Sequence, residues 1–348
     1  MEKRLLLSIL ITTYNRSHFL DQLLQSLYDN NCVRSDIEII VLNNGSEDET
    51  DIVLQKYKKL LTNMRVYREK TTLEFTGGYF LLSSLAKGEY VWFIGDDDYL
   101  LQKIDKTLLK YLKLRNIDIA LLNMDFYLQE TPFSSRYIVS QRKNWFKKDE
   151  NFIYENYVNF FRDVNDPCAL LTQISVCVCK RNIFKRFCNR ESLHKYDKSN
   201  SHHVYIYMSV LRRSKNILYI NDKMMCLRVG ECSVSFLSLE GRKQRIMIGA
   251  IYFLSMIRDV FNEKWIEYKV KKILLRYDVM VIIIGAKLKL KDAGLQYYLE
   301  IFNMLKYEYK WIPFFWIGIL PAILIPSIVY KMAYKCYKFF KNFTSDVF

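Results

Sequence analysis

Continuous apolar runs alternate with stretches of helical spacing along the first hundred residues of the chain. The apolar runs are Leu5–Thr12, Ile37–Leu42 and Tyr90–Ile94, and Met64–Arg68 has the pattern of a further short strand. Between them, apolar residues recur every three or four positions, as they do on one face of a helix. This order predicts βαβ units, and therefore an α/β fold with a mostly parallel sheet and helices on both faces. Strands without polar interruptions agree with burial on both sides.

Three of these runs end in polar residues. The polar segments are Thr12–Asn15, Asn43–Ser46 and Asp96–Asp98. Ligands of such sheets bind beyond the carboxyl ends of the strands, and those ends lie at one edge. We therefore expect the three segments, which are far apart in the sequence, to meet in one cleft.

The pattern continues less regularly as far as residue 235. We predict a helix at Leu101–Leu114 and a strand at Ile117–Met124. From Asp125 to about Asn165 the pattern weakens, and we expect long loops or a lid. Beyond it, the pattern predicts a strand at Ile174–Lys180, a helix within Asn200–Arg213, and short strands at Ile217–Ile220 and Met224–Arg228.

The character of the chain changes after Gly230, where basic segments of helical spacing begin. They lead to Trp311–Tyr330, which carries no charge, and then to a basic aromatic tail. We predict two domains, residues 1–235 as the α/β domain and residues 236–348 as a helical region that associates with a membrane through residues 311–330.

The uncharged segment 311–330 admits several interpretations. If helical, it is about 30 Å long, which just spans a bilayer. Pro321 and Pro326 would kink such a helix, and lysines on both sides do not set its orientation. We therefore favour a segment that lies in the membrane interface, or that enters the membrane and returns, with the basic tail on anionic headgroups. A single spanning helix, a buried helical hairpin and a homo-oligomer interface remain alternatives.

The net charge of +15, from 52 basic and 37 acidic residues, favours anionic partners. Nucleotides, lipid phosphates and a negatively charged membrane surface all qualify. We expect no nucleic acid, because the chain has no compact nucleic-acid-binding signature. The eight cysteines have neither zinc-site spacing nor the pattern of a disulfide framework, which is typical of a reduced, cytoplasmic protein.

Asp96, Asp97 and Asp98 are the first candidates for chemistry. Three adjacent carboxylates at the end of a buried strand are unfavourable unless a cation neutralises them. Mg²⁺ and Mn²⁺ prefer such oxygen ligands and commonly bridge to substrate phosphates. The segment therefore predicts a site for a divalent ion and a diphosphate, although a charged turn would give the same pattern.

Three segments together resemble glycosyltransferase family 2, whose members have the GT-A fold. They are Ser8–Arg16, Val41–Ser46 and Ala86–Asp98, which match in both order and spacing. The resemblance is strong over about the first 130 residues and looser over 170–235. The Gly-Asp-Asp-Asp form is most similar to bacterial surface-polysaccharide transferases of the abequosyltransferase-like, O-antigen type.

The resemblance implies nucleotide-binding roles for several positions. Thr12, Thr13 and Tyr14 would line the nucleotide pocket. Asn44 stands where the family usually has an aspartate that contacts the base. Arg228 lies in a stretch that resembles the one closing over the donor phosphates.

The resemblance also implies a metal ion, Mn²⁺ or Mg²⁺, at Asp97, the metal-binding aspartate of the family's DxD motif. Gly95 stands where the first aspartate of that motif is common, so the metal shell here must differ. Asp96 or Asp98 would compensate, or the pyrophosphate would supply more ligands; we assign Asp98 to the metal and Asp96 to the nucleotide.

The catalytic base is less clearly indicated, because the acidic pair that usually supplies it is absent. His202 and His203 occupy its place before a helix. A histidine titrates near neutral pH and suits this role. His203, His202 and Asp98 are therefore the candidates, and a capping or packing role is the alternative for the histidines.

These features lead to one expectation and one alternative. We expect a metal-dependent, inverting glycosyltransferase at the cytoplasmic face of the plasma membrane, either peripheral, monotopic or single-span. Its donor would be a UDP-, CDP- or GDP-linked sugar, and its acceptor a polyprenyl-diphosphate-linked saccharide of a surface polysaccharide. The alternative is a catalytically silent module that binds nucleotide sugars or membranes.

Overall fold

The computed structural model describes residues 5–73, 75–128, 146, 150–199, 201–229, 239–289 and 294–335. The described residues form two compact units, the first ending at Val229 and the second beginning at Leu239. Residues 129–145 and 147–149 of the predicted lid, and the basic tail after Lys335, lie outside the described residues.

The first unit alternates strands and helices. Its strands are β1 Leu7–Thr13, β2 Ile37–Asn43, β3 Met64–Arg68, β4 Tyr90–Gly95, β5 Tyr99–Leu100, β6 Ile119–Leu128, β7 Phe152–Tyr154, β8 Cys177–Lys180 and β9 Ile217–Val229. Its helices are α1 Ser17–Asp29, α2 Thr50–Leu60, α3 Phe75–Leu85, α4 Leu108–Leu112, α5 Tyr157–Asp163, α6 Pro167–Leu171, α7 Arg181–Phe187, α8 Arg190–Leu193 and α9 His202–Arg213. Short 3₁₀ segments occupy Ile174–Val176 and His194–Ser199.

The described strands form one mixed sheet in the order β3-β2-β1-β4-β8-β6-β9-β5, with β7 paired to β9. Strands β3, β2, β1 and β4 are parallel, as their apolar runs predict. Strand β8 is antiparallel to both of its neighbours, and β5 and β7 are antiparallel to β9. The fold is α/β with helices on both sides of the sheet, but the sheet is mixed rather than mostly parallel.

The strand register brings the three polar segments to one edge. Thr12 of β1 is level with Gly95 of β4, and Thr13 is level with Asn43 of β2. The Asn44 N–H donates to the carbonyl of Thr13 at 2.9 Å. Parallel strands in register end together, and so the three segments converge as the sequence pattern predicts.

Four of the local predictions differ from the structure. The strand predicted at Ile174–Lys180 begins at Cys177, after a 3₁₀ turn at Ile174–Val176, and the described part of the region Asp125–Asn165, expected to be long loops or a lid, contains the end of β6, β7 and α5. The helix predicted at Leu101–Leu114 is reduced to α4, because the chain before it pairs as β5 with β9 and the Leu101 N–H donates to Met224. The two short strands predicted after Ile217 are one strand, β9, whose pairing with β6 shifts register near Leu122 and Asn123.

A buried carboxylate joins the amino-terminal ends of the strands. Glu38 of β2 accepts hydrogen bonds from Ser8 Oγ at 2.6 Å and from the backbone N–H groups of Lys87 at 2.6 Å and Gly88 at 3.2 Å. It also forms an ion pair with Arg65 of β3. The acceptors of a buried carboxylate need such donors, and these ones tie β1, β2, β3 and the start of β4 together.

The second unit is helical among its described residues. Its helices are α10 Leu239–Ile246, α11 Phe253–Phe261, α12 Lys264–Ile273, α13 Met280–Lys289, α14 Leu295–Tyr309, α15 Leu320–Leu324 and α16 Ser327–Lys335. Turns of π-helix occupy Met247–Tyr252, Leu274–Val279 and Phe315–Ile319.

In the described part of the chain, no single helix has both the length and the apolar character needed to cross a bilayer. The pair Phe315–Leu324 and Ser327–Lys335 has both properties only when taken together, and it bends by 93° at its break. Residues 311–330 are therefore not one continuous helix, because Ile325 adopts an extended backbone before Pro326.

We predict that Gly88→Ala lowers the free energy of unfolding by about 1–3 kcal/mol, as overpacking does in a core. A Cβ at Gly88 would lie 2.6 Å from the backbone nitrogen of Ser8 and 2.7 Å from the carbonyl carbon of Leu7. Urea unfolding measures the change. The matched control is Gly249→Ala, where a Cβ meets no atom within 4 Å; equal stabilities of the two variants would contradict the prediction.

Candidate active site

The carboxylate turn, which we define as Asp96–Asp98, follows β4 directly. Its three side chains differ in their exposure to solvent. Asp96 and Asp98 are buried, with 6% and 7% exposure, while the side chain of Asp97 is 20% exposed. The Asp98 N–H donates to the carbonyl of Gly95 at 3.1 Å, which closes the turn. The central carboxylate is consequently the one most open to a ligand.

Asp98 is held from two other elements. Ser175 Oγ, in the 3₁₀ turn before β8, donates to its Oδ2 at 2.5 Å, and the Arg228 N–H of β9 donates to its Oδ1 at 3.2 Å. Burial, together with the neighbouring Asp97, raises the pKa of Asp98 to about 7 against these hydrogen bonds. The sequence did not suggest Ser175, because it reaches the turn only through the antiparallel insertion of β8.

Arg16 supplies the positive charge beside the other two carboxylates. Its Nη1 lies 3.0 Å from Asp96 Oδ1 and 3.3 Å from Asp97 Oδ2. Burial raises the pKa of Asp96 to about 6, although Arg16 acts in the opposite direction. Arg16 was not among the predicted site residues; its place directly after the polar end of β1 was the available signal.

The tips of β1 and β2 are joined by side chains. The Asn15 N–H donates to Ser46 Oγ at 3.0 Å, and Asn15 Oδ1 accepts from the Glu47 N–H at 2.8 Å. Of the predicted nucleotide-binding residues, Thr13 is buried, Tyr14 is 46% exposed, and Thr12 Oγ1 is buried without a hydrogen-bond partner among the described residues. All of these groups lie at the carboxyl edge of the sheet.

Asn44, the position expected near the base, engages the main chain in this structure. Its Nδ2 donates to the carbonyl of Leu73 at 2.9 Å, and its Oδ1 accepts from the Leu73 N–H at 2.8 Å. Gly45 follows with φ +85, and a Cβ there would approach Thr72 N to 3.3 Å. Asn44 and Gly45 therefore fix the segment 71–73 beside the strand tips.

The two candidate histidines differ in their surroundings. His203 Nε2 contacts the carbonyl of Thr172 at 3.0 Å, and burial lowers the pKa of His203 to about 4. His202 Nε2 lies 2.9 Å from Asp197 Oδ1, and its Nδ1 lies 3.2 Å from Thr76 Oγ1. Asp197, which the sequence analysis missed, stands in a 3₁₀ turn where no periodic pattern marks it.

Arg228 braces the carboxylate turn from β9. Its Nε donates to the carbonyl of Asp97 at 3.2 Å, its Nη2 donates to Gln22 Oε1, and its guanidinium lies 4.7 Å from the ring centre of Phe19. Stacking and hydrogen bonding together orient a guanidinium well. Arg228 thus lies beside the carboxylates, where a diphosphate would also be expected.

The donor set fits a divalent ion that is shared with a substrate. Among the described residues, no group of three or more His, Cys, Asp or Glu side chains is arranged to hold an ion. The partly exposed Asp97 offers oxygen ligands, whereas both oxygens of the buried Asp98, also predicted to bind the metal, already accept hydrogen bonds. Mg²⁺ typically takes one or two carboxylates and completes its shell with water and phosphates. The residues present therefore suit such an ion, with the remaining ligands coming from outside the protein.

Comparisons with known proteins agree with this geometry. The family model of glycosyl transferase family 2 matches residues 8–216. The abequosyltransferase RfbV of Salmonella typhimurium is 27% identical over 266 residues, which is 74% of this chain and 76% of the relative. The Staphylococcus aureus poly(ribitol-phosphate) β-N-acetylglucosaminyltransferase TarS is 27% identical over 118 residues, 34% of this chain but 20% of that relative.

Two solved structures show the same fold. TarS 1–349 of S. aureus in complex with UDP aligns with a TM-score of 0.58 at 17% identity, covering 89% of this chain and 81% of that one. A mannosyltransferase of Pyrobaculum calidifontis, in complex with GDP-Man and Mn²⁺, aligns with a TM-score of 0.54 at 11% identity, covering 95% and 88%.

The matched region holds the β1 and β2 tips, the carboxylate turn and the two histidines. It also covers more than half of the chain. The chain therefore belongs to glycosyl transferase family 2, has the α/β GT-A fold, and is a nucleotide-sugar-dependent glycosyltransferase.

Proposed function

We propose that the protein transfers a sugar from a nucleotide diphosphate to a lipid-linked saccharide during the synthesis of a bacterial surface polysaccharide. The observation that carries the proposal is the meeting of the carboxylate turn with Arg16, Arg228 and the β1 tip at one sheet edge. The names of the relatives support the surface-polysaccharide setting. The acceptor would be a polyprenyl-diphosphate-linked saccharide at the cytoplasmic face of the plasma membrane.

A nucleotide-sugar donor suits this edge of the sheet because polar groups are available there for both its nucleoside and its diphosphate. The structural neighbours were solved with UDP and with GDP-Man, which supports a nucleotide donor. We place the nucleotide near the β1 and β2 tips, where Thr12, Thr13 and Tyr14 lie. The diphosphate would lie beside Arg16 and Arg228, whose guanidinium groups can make bidentate contacts with phosphate oxygens. We therefore assign the base side of the donor to Thr12–Tyr14 and segment 71–73, and the phosphate side to the carboxylate turn.

Asp97 would hold Mg²⁺ or Mn²⁺, and Asp98, whose two oxygens accept hydrogen bonds from Ser175 Oγ and the Arg228 N–H, would support the turn from inside. When bound, the ion supplies Lewis-acid neutralisation of the leaving diphosphate. The chain's own contribution is to present a partly exposed carboxylate that Ser175, Arg228 and the Gly95 carbonyl hold in a closed turn. Arg16, which pairs with Asp96 and Asp97, adds charge on the same side.

The reaction proposed is a single inverting displacement. The acceptor hydroxyl oxygen forms a bond to the anomeric carbon, the bond from that carbon to the phosphate oxygen breaks, and the nucleoside diphosphate leaves. The hydroxyl proton passes to a general base on the opposite face of the sugar. Such a base typically contributes about 10²–10⁴-fold to the rate.

We assign the base to His202 rather than to His203 or Asp98. Asp197 accepts a hydrogen bond from His202 Nε2, and this leaves Nδ1 as the nitrogen that can accept a proton, on the side of Thr76. His203 is turned to a main-chain carbonyl, and Asp98 is enclosed by Ser175 and Arg228. The hydroxyl of Thr76 would be the group that the acceptor approaches.

We expect Asp97→Asn to abolish the thermal stabilisation that a donor nucleotide sugar gives in the presence of Mn²⁺. The amide keeps the shape of the side chain but loses the charge that attracts the ion. Thermal melting with a panel of UDP-, CDP- and GDP-sugars, with Mn²⁺ or with a chelator, measures the effect. Asp105→Asn is the control, because it removes a carboxylate of the same unit that lies outside the turn. If the donor and Mn²⁺ raised the melting temperature of Asp97→Asn as much as that of the wild type, the metal assignment would be refuted.

We expect His202→Gln to lower kcat by about 10²–10⁴-fold, the usual contribution of a general base. Binding of the donor should be unchanged, because a general base of this reaction would contact the acceptor hydroxyl. Asp197→Asn should also lower kcat, since Asp197 orients the ring. Retention of most of the wild-type rate in His202→Gln would exclude this histidine as the base.

The adjacent His203→Gln is the matched control, and its effect should appear in stability. The pKa of His203 falls from 6.5 to about 4 on folding, so the unfolded chain binds the extra proton between these values. The free energy of unfolding of the wild type therefore falls by up to about 3 kcal/mol through this group as the pH falls from 6.5 to 4. Between pH 7 and pH 4.5, urea unfolding should show a smaller fall in the free energy of unfolding for His203→Gln than for the wild type. The kcat of His203→Gln should stay near that of the wild type.

We expect faster transfer of a radiolabelled sugar to a lipid-linked acceptor than to the same saccharide without its lipid. Equal rates on the two acceptors would remove the case for the lipid. Absence of turnover with every acceptor and donor would instead favour a silent nucleotide-sugar-binding module.

A further inference from the structure

The two arms of the bent helix pair in the second unit are too short to cross a membrane. Arm 1 is Phe315–Leu324 and arm 2 is Ser327–Lys335, and they meet at 93°. At the helical rise per residue each arm is about 15 Å long or less, against a hydrocarbon core of about 30 Å. A pair with this geometry can occupy one leaflet but cannot connect the two surfaces.

Arm 1 is apolar on both its inner and its outer face. Phe315, Ile319 and Ile323 are buried within the unit, at helical spacing. On the other side, Ile317 is 76% exposed and Leu324 is 55% exposed. A helix with apolar residues all round normally has a non-aqueous environment on each side.

Arm 2 and the residues just before arm 1 also expose apolar side chains. Ile328, Val329 and Met332 are 62%, 49% and 61% exposed, and Trp311, before arm 1, is 82% exposed. With Trp316 at 41%, eight large apolar side chains are exposed between residues 311 and 332, whereas apolar residues on a protein surface are normally exposed singly. Aromatic and aliphatic side chains together are typical of helices that lie in a membrane interface.

The charged residues from Tyr309 to Lys335 are all basic. Lys310 precedes the bent pair, Lys331 and Lys335 lie on arm 2, and the nearest preceding acid, Glu308, is paired with Arg258. A symmetric dimer through this surface would bring like charges together. A surface of anionic headgroups over an apolar interior complements both the lysines and the apolar residues.

The bend itself is held by a buried lysine. Lys287 of α13 is 3% exposed, and its Nζ donates to the carbonyls of Ile323 at 2.6 Å and Ile325 at 2.5 Å. The rings of Tyr298 and Tyr330 lie 4.6 Å and 5.8 Å from the same atom. Carbonyls at a helix end lack intrahelical partners, and a cation is favourable there.

We propose that the bent pair is a monotopic anchor that enters one leaflet of an anionic bilayer, and that Lys287 is the positioning residue that keeps its two arms at the angle required. The inference deepens the membrane location in the proposed function. It depends on residues of the second unit only, so it can fail while glycosyl transfer stands.

The binding test uses the full chain and vesicles of phosphatidylcholine with or without phosphatidylglycerol. We expect salt-sensitive binding to the anionic vesicles, and at least about a tenfold loss of binding in the Ile317→Asp, Ile328→Asp double variant. The matched control is Ile52→Asp, at an apolar position of the first unit that is 67% exposed. Transfer to a water-soluble acceptor, measured on every variant, separates loss of the anchor from loss of the enzyme.

Topology and the role of Lys287 are tested on the same vesicles. An epitope added at the C-terminus should remain fully accessible to protease outside the vesicles, whereas protection would overturn the proposal in favour of a span. Lys287→Met should weaken vesicle binding several-fold while near-UV circular dichroism and soluble-acceptor activity remain, and Lys287→Arg should restore part of it. The proposal would be overturned if Lys287→Met and the double Asp variant both bound vesicles as the wild type does. It would also be overturned if the double variant changed from dimer to monomer without losing vesicle binding, because the surface would then be a dimer interface.

Discussion

Burial of two carboxylates at the end of β4 is the constraint on which the arrangement of the active site depends. Asp96 and Asp98 lie inside the protein, where their charged forms are disfavoured, and each needs partners from other parts of the chain. Arg16 comes from the tip of β1, Ser175 from the turn before β8, and Arg228 from β9. The hydrogen bonds and ion pairs of the buried carboxylates therefore connect three distant segments at one edge of the sheet.

The mixed sheet supplies these partners. The parallel strands β3, β2, β1 and β4 form the part of the sheet whose edge we assign to the nucleotide. The antiparallel insertion of β8 supplies Ser175, which hydrogen-bonds both Asp98 and the Gly95 N–H, and β9 returns to pair with β5 just beyond the turn. The second half of the sheet thus holds the carboxylates, while the first half defines where they are presented.

Periodicity and strand order were enough to predict the parallel strands, the convergence of the polar tips and the carboxylate turn, because these features depend on local pattern and register. The partners of the turn were harder to find. Ser175 is recognised only once tertiary contacts are known, and the signal for Arg16 was only its place directly after the polar end of β1. Asp197 lies in a short 3₁₀ turn without a periodic signal. The helix predicted at Leu101–Leu114 failed because pairing of β5 with β9 overrode local helical propensity. For Asn44, the sequence marked the position, but only the structure revealed that its amide binds Leu73.

The central claim is that Asp97 and a donor diphosphate share one divalent ion at the carboxylate turn. The most direct measurement is anomalous diffraction from crystals of the protein grown with Mn²⁺ and a nucleoside diphosphate. The account predicts a manganese peak in contact with both the Asp97 carboxylate and the phosphates, beside Arg16 and Arg228. A diphosphate bound at the turn with manganese elsewhere, or bound away from Asp97 altogether, would contradict it.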